Sequence, residues 1–301
     1  MLDLVTDLNE LTATIAAAGG CAYRLTPLKV KCTYPVFKGE ADGVASVFVK
    51  VGTTEEWIRT RDLLKAIGDC GFFSRFVVEE PIDYKGYAVF VMEWKESHVV
   101  FPEDMNSRQV ESFVAGCVKL GEALAGASRR GGDGTVTGTS PEGLYGDIVQ
   151  YVAGHPVVGR LLKGLVAIPE AERTYGNCPR TVCHGDFHAK NFGFAGDEFA
   201  AVYDFDKLAE GLKCSDFVNA LMERFSCLGL SRAVRRRLRS VTRSILTRVP
   251  WPHEELVIAA NVVRLQFAAR RIRKHPTSAW VAFDVWRRDR RLGEFLDCIR
   301  L

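Results

Sequence analysis

The apolar residues of this 301-residue chain change their period part-way along, and that change limits the fold more than any other feature. Up to Met92 they alternate in short runs, as in ASVFVKV (Ala45–Val51) and YAVFVM (Tyr87–Met92). Alternation with period two marks strands with one buried face. Beyond Ser107 the spacing becomes three and four, as in Leu230, Val234, Leu238, Val241 and Ile245, which is one face of a helix. Residues 1–94 are therefore expected to form a small antiparallel sheet, with strands over Tyr23–Lys31, Thr33–Lys38, Ala45–Val51, Phe76–Val78 and Tyr87–Met92. A helix over Glu55–Ile67, capped by Thr54, follows the third strand, and another over Asp7–Ala18 ends at Gly19-Gly20. Residues 95–301 read as mainly helical: Ser107–Ala127, Leu144–Val152, Val157–Val166, Glu254–Lys274 and Ser278–Ile299. Short strands over Thr181–Cys183, Phe192–Phe194 and Ala200–Tyr203 interrupt them, and Arg129–Gly143 is a Gly/Thr/Ser loop. The class is α+β.

Hydrophobic residues make up 47% of the chain and charged ones 26%, the balance of an ordinary globular protein, and no run is apolar enough to cross a bilayer. The nine cysteines are scattered, form no CxxC and have no histidine at zinc-finger spacing. With no basic leader in the first twenty residues, reduced thiols and a cytoplasmic location are expected. The net charge of +3 conceals an asymmetry: residues 229–301 carry 17 Lys and Arg against 6 Asp and Glu.

The densest chemistry lies in HGDFHAKN, His184–Asn191, followed by a second acid, Asp204, in AVYDFD. Phosphoryl transfer requires these residue types: an acid to orient a hydroxyl and take its proton, and an Asn and an Asp to hold Mg²⁺ on the phosphates. H-G-D-x4-N arises by chance roughly once per thousand chains of this length at average residue usage. Lys50, inside an apolar strand, is costly there unless it is exposed or has a charged partner, and ATP phosphates would be one.

The order of elements and this motif resemble the aminoglycoside phosphotransferase and choline kinase family, whose fold is two-lobed and protein-kinase-like. The resemblance implies a nucleotide-binding lobe over 1–94 and a catalytic and acceptor-binding lobe over 95–301. It implies Asp186 as the catalytic base and Asn191 and Asp204 as Mg²⁺ ligands. Lys190 would stabilise the moving phosphoryl group. Lys50 would hold the ATP α- and β-phosphates. The helix glutamate that orients this lysine in the family aligns near Thr60, which cannot ion-pair, so Glu56, one turn earlier, is expected to substitute. Val91–Lys95 resembles the hinge, with Met92 lining the adenine pocket and the backbone of Glu93, Trp94 and Lys95 bonding the base. Asp216 would brace the catalytic loop, His184 would pack beneath it, and Asp206 reads as a surface acid. No G-x-G-x-x-G precedes Lys50, and the first strand pair turns near Cys32-Thr33 without glycine.

The expected activity is ATP- and Mg²⁺-dependent transfer to a hydroxyl of a small molecule, antibiotic-like or metabolite, with GTP as the alternative donor. Any of Arg235-Arg236-Arg237, Arg270-Arg271 and Arg287-Arg288 that face the acceptor would disfavour a strongly cationic one. Trp280, Phe283 and Trp286 read as core. A protein-kinase effector is the second enzyme reading, although only 12 residues separate Asp204 from Asp216. A non-catalytic module using the basic C-terminal face is the third. Neither a membrane nor a nucleic acid is expected as partner, and oligomeric state is not specified.

Overall fold

A computed structural model describes residues 7–28, 34–68, 70–130, 140–173, 175–205 and 207–300. The expected Asp206, the turn at Cys32-Thr33 and residues 131–139 of the Gly-rich loop lie outside them. The chain divides into two compact units, Met1–Ser97 with Ala200–Val202, and His98–Phe199 with Tyr203–Leu301.

The first unit is built on a five-stranded antiparallel sheet of order β1-β2-β3-β5-β4, from Arg24–Pro27, Val36–Ala41, Val44–Gly52, Ile82–Tyr84 (β4) and Tyr87–Glu93 (β5). Alternation decides its two faces. Val47, Val49 and Val51 of β3 join Val89 and Val91 of β5 in a core closed by Leu11 and Ile15 of helix α1, Leu8–Gly19. Gly20 ends α1 in the left-handed conformation, as a helix C-cap requires. The opposite face carries Ala88 and Phe90, packed with Trp57 of helix α2, Thr54–Ile67. Lys50 has the parity of this second face. Its Nζ lies 5.5 Å from the Phe90 ring centroid.

Two local expectations change. Thr53, not Thr54, is the N-cap of α2: its hydroxyl accepts the Glu56 amide while Glu56 Oε2 accepts the Thr53 amide, a complete capping box. Phe76–Val78 is not a strand but a bent segment bridged to Met92, and the edge strand is β4. That edge is only three residues long, which limits its exposed ladder.

The second unit is helical: α3 Ser107–Arg130, α4 Pro141–Gly154, α5 Lys163–Val166, α6 Glu170–Arg173, α7 Ser215–Phe225, α8 Arg232–Leu246, α9 His253–Lys274 and α10 Trp280–Ile299. The expected helix over Val157–Val166 is a 3-10 turn, Val158–Leu162, running into α5. α9 is the axis. Small residues such as Ala259, Ala260 and Ala269 on it are buried and let α4, α7 and α10 pack close. Trp286 packs against this core, but Trp280 is 79% exposed and Phe283 40%, so those two are surface aromatics. Among the described residues no helix is long and apolar enough to cross a membrane, and the eight described cysteines are free.

Two ribbons hold the segment that matters. β6 Thr181–Cys183 pairs with β9 Ala209–Gly211, and β7 Phe192–Ala195 pairs with β8 Glu198–Val202. Residues 184–191 join β6 to β7. They are anchored by Phe187, fully buried and stacked on Phe192 at 5.0 Å between centroids. Burying such a ring contributes about 2–3 kcal/mol.

Candidate active site

The loop 184–191 is fixed from beneath by α7. Asp216 accepts the His184 amide at 2.7 Å on Oδ2 and the Gly185 amide at 3.1 Å on Oδ1. One helical turn on, Asn219 Nδ2 donates to the Phe187 carbonyl at 3.0 Å. Burial pushes the Asp216 carboxyl up, opposed by His184 and the two amides. His184 is fully buried, and its Nε2 donates to the Tyr203 carbonyl at 2.6 Å, which ties the loop to the segment leading to Asp204. Gly185 has φ +77°, and a Cβ there would collide with the Lys207 carbonyl oxygen, so this position needs glycine twice over.

This scaffold presents Asp186 with 9% of its surface exposed. Its Oδ2 accepts from Lys207 Nζ, and its Oδ1 lies 3.4 Å from Arg270 Nη1. Burial alone would raise this carboxyl, but the Lys207 ammonium and the Arg270 guanidinium outweigh it and hold the group below the usual Asp value. His188, on the same loop, is pushed down by burial, and its Nδ1 accepts the Lys190 amide at 3.2 Å.

Asn191 is buried, and its Nδ2 donates to the Asp186 carbonyl at 2.9 Å. That bond fixes the amide with Oδ1 uncommitted among the described residues. Tyr203 N donates to the Asn191 carbonyl at 2.9 Å, which brings the next residue, Asp204, beside it. Asp204 is exposed and holds φ +63°, a left-handed conformation uncommon outside glycine and found at sites under functional constraint. An amide oxygen and a carboxylate, each just outside the β7–β8 pair, are oxygen donors, the kind Mg²⁺ takes.

Lys190 is exposed and, among the described residues, makes no ion pair. Its amide donates to His188 Nδ1. The cations at Asp186 are Lys207, three residues after Asp204, and Arg270, on the last turns of α9. Lys207 had no local signal, and Arg270 was one of several arginines whose direction the sequence left open.

On the first unit, Glu56 Oε2 accepts the Thr53 amide, so this carboxylate caps α2. The backbone at Val91–Lys95 is partly spent: the Glu93 amide donates to the Arg75 carbonyl at 2.8 Å and the Trp94 amide to the Ser46 carbonyl at 3.1 Å. These two amides are therefore used within the unit. Met92 is half-buried among Phe76, Phe90 and Trp57. Lys95 Nζ donates to the Gly71 carbonyl at 3.2 Å and lies 3.8 Å from Glu93.

The other arginines divide by helix. On α8, Arg235 and Arg239 pair with Glu294 of α10, and Arg232, Arg235, Arg236 and Arg239 line a surface groove of about 430 Å³. Four like charges with little apolar wall make a solvated face. Arg271 and Arg288 both pair with Asp284.

Solved structures with the same architecture include the hygromycin B complex, with ADP, of a thermostable mutant of aminoglycoside phosphotransferase APH(4)-Ia. It is 13% identical, with a TM-score of 0.61 over 96% of this chain and 98% of that one. The amicoumacin kinase hAmiN, in complex with AMP-PNP, Ca²⁺ and Ami, is 12% identical, with a TM-score of 0.61 over 97% and 96%. The macrolide 2'-phosphotransferase MphH of Brachybacterium faecium is 14% identical, with a TM-score of 0.57 over 92% and 98%. At such identities the likeness establishes the fold, which is α+β and protein-kinase-like. A search of curated protein sequences gave no match. A family model does match residues 52–240, well over half the chain and the whole of the loop just described: the chain belongs to the phosphotransferase enzyme family, APH.

Proposed function

We propose that this protein transfers the γ-phosphoryl group of ATP, with Mg²⁺, to a hydroxyl of a small molecule. The observation that carries the reading is the Asn191 amide. With Nδ2 spent on the Asp186 carbonyl, its oxygen would be left for a metal ion beside the acid that would serve the acceptor. Asn191 and Asp204 would hold the ion, which neutralises phosphate charge. GTP remains the alternative donor.

Asp186 would accept a hydrogen bond from the acceptor hydroxyl. As that oxygen bonds to the γ-phosphorus and the bond to the ADP oxygen breaks, the hydroxyl proton passes to Asp186. A carboxylate held below its usual pKa cannot deprotonate an alcohol in the ground state, so the proton would move late and orientation is its main contribution. Lys207 would then be positioned to meet charge on the transferring group. Lys50 is assigned to the ATP phosphates, and Met92 and the Glu93–Lys95 backbone to the base. With the Glu93 and Trp94 amides already engaged, that contact would fall to the carbonyls and to Lys95.

Similar structures holding ADP or AMP-PNP with hygromycin B or amicoumacin support a small-molecule acceptor. Two cations at Asp186 favour one that is not strongly cationic. The test is ADP release against a panel of aminoglycosides, other antibiotics, nucleosides, amino alcohols and sugars. Asp186→Asn should abolish transfer while the fold persists, and near-full activity in that variant would remove the base from the scheme. Millimolar Mg·ATP should raise the Tm by mass action.

A further inference from the structure

We infer that Arg270 is an anchor for an anionic group on the acceptor, so that the substrates are hydroxy acids or phosphorylated alcohols. This rests on the phosphotransferase reading above. Two of the α9 arginines near it are committed at short range, Arg264 to Asp289 at 2.7 Å and Arg273 to Asp147 at 2.6 Å, and Arg271 lies 3.5 Å from Asp284. Arg270 differs. Its contacts among the described residues are two long ones, 3.4 Å from Nη1 to Asp186 Oδ1 and 3.4 Å from Nη2 to the Gly185 carbonyl. Hydrogen bonds to a guanidinium are ordinarily nearer 2.8 Å. Its side chain is 48% exposed, and among the described residues it has no carboxylate of its own besides Asp186.

The guanidinium is thus positioned by its surroundings and only weakly spent. It has five N–H donors in a flat fork, matched to a carboxylate or phosphate. Any hydroxyl that bonds Asp186 Oδ1 must arrive within a few ångströms of that fork. Lys207 sits on the other oxygen, so among the described charges at this point two cations face one anion. With Lys207 assigned above to the transferring group, Arg270 is left to attract an anion on the acceptor, and an ammonium there is repelled. A unit charge about 5 Å away at an effective dielectric near 20 gives a preference of a few hundredfold. Half exposure reduces this to about ten- to a hundredfold.

The experiment uses two matched trios, one of three carbons (glycerate, glycerol, 3-amino-1,2-propanediol) and one of six (gluconate, glucitol, 1-amino-1-deoxyglucitol). The kcat/KM for ADP release is read at saturating Mg·ATP after subtracting basal hydrolysis. The expected order is acid over neutral over amine, by about tenfold or more overall, and Arg270→Glu should reverse it. The inference is overturned by a flat order, by preference for the amine, or by an order unchanged in Arg270→Glu. If no member is phosphorylated, the acids should still slow basal hydrolysis more than their neutral partners, and equal effects overturn it equally. Failure of the kinase reading itself looks different: a folded protein with no basal hydrolysis and no Tm shift with Mg·ATP, which would take this inference down with it.

Discussion

Replacing Asp216 by Asn changes one oxygen to an NH₂ at constant shape, so it isolates the bracing of the loop. In the native site both carboxylate oxygens accept backbone amides, His184 N at 2.7 Å and Gly185 N at 3.1 Å. The asparagine oxygen can keep one of them. The other N–H then faces an NH₂ group, donor against donor, in a place without water: Asp216 is 6% exposed and His184 fully buried. Leaving a buried amide unsatisfied costs about 1–3 kcal/mol, and weakening the remaining charge-assisted bond costs about 1 more. Part of this returns because the variant buries no charge, and burial already pushes this carboxyl up. The net loss is about 2 kcal/mol. For a unit of roughly 200 residues that lowers Tm by about 4–8 °C. The assay is thermal unfolding followed by circular dichroism, with Asp297→Asn as an exposed control expected within about 0.5 kcal/mol of wild type. Turnover should fall as well, because the same two amides set the direction of Asp186. A Tm within about 2 °C of wild type together with full turnover would refute the idea that this pair of bonds holds the loop.

The two lysines separate by the same logic. Lys207→Met removes the ammonium from Asp186, leaves burial opposed mainly by Arg270 and should raise that carboxyl in a ¹³C titration while cutting kcat about tenfold or more. Lys190→Met should change kcat by less than about threefold, since an exposed, unpaired charge contributes little, and the reverse ranking would restore Lys190 to the mechanism. Glu56→Ala should cost about 1 kcal/mol of stability through the capping box, with the KM for ATP unchanged. A large rise in that KM would return Glu56 to the phosphate site. His188, half-buried and accepting the Lys190 amide, should titrate below 6.5 in the native state. The unfolded chain then binds the proton first, so this group's contribution is complete above pH 6.5 and is lost as pH falls through the lower native value. An imidazole resonance titrating at or above 6.5 would contradict it.

What could be read from the sequence was local. Asp186 and Asn191 are five residues apart in one loop, and their spacing alone brings the carbonyl of one to the amide of the other. The parity of Lys50 follows from strand alternation, and the end of α1 follows from Gly20. What could not be read was set by partners far along the chain or by a competing local use. Glu56 lies on the helix face expected to meet Lys50, but Thr53-x-x-Glu56 is also a capping signature, and a cap three residues away needs no tertiary contact to form. Trp280 and Phe283 were read as core from their size. Yet they stack edge-on at 6.2 Å at the start of α10 and leave much of their surface to solvent.

The exchange of Lys190 for Lys207 shows how the sequence could have served better. Sequence proximity favours Lys190, four places from Asp186, but it is exposed and, among the described residues, makes no ion pair with that carboxylate. The better clue was Gly185. A position that tolerates no Cβ is one against which other backbone is pressed, and that backbone is the Lys207 carbonyl. Once residue 207 is known to lie against the residue before Asp186, a lysine there is the cation with the shortest path to the carboxylate, although 21 residues separate them. Arg270 reaches the same glycine by its carbonyl, from 85 residues away. Gly185 therefore makes room for two charged neighbours that no spacing rule could pair with Asp186. A side chain introduced there should disturb the Lys207 contact, the Arg270 contact and the proton affinity of Asp186 together.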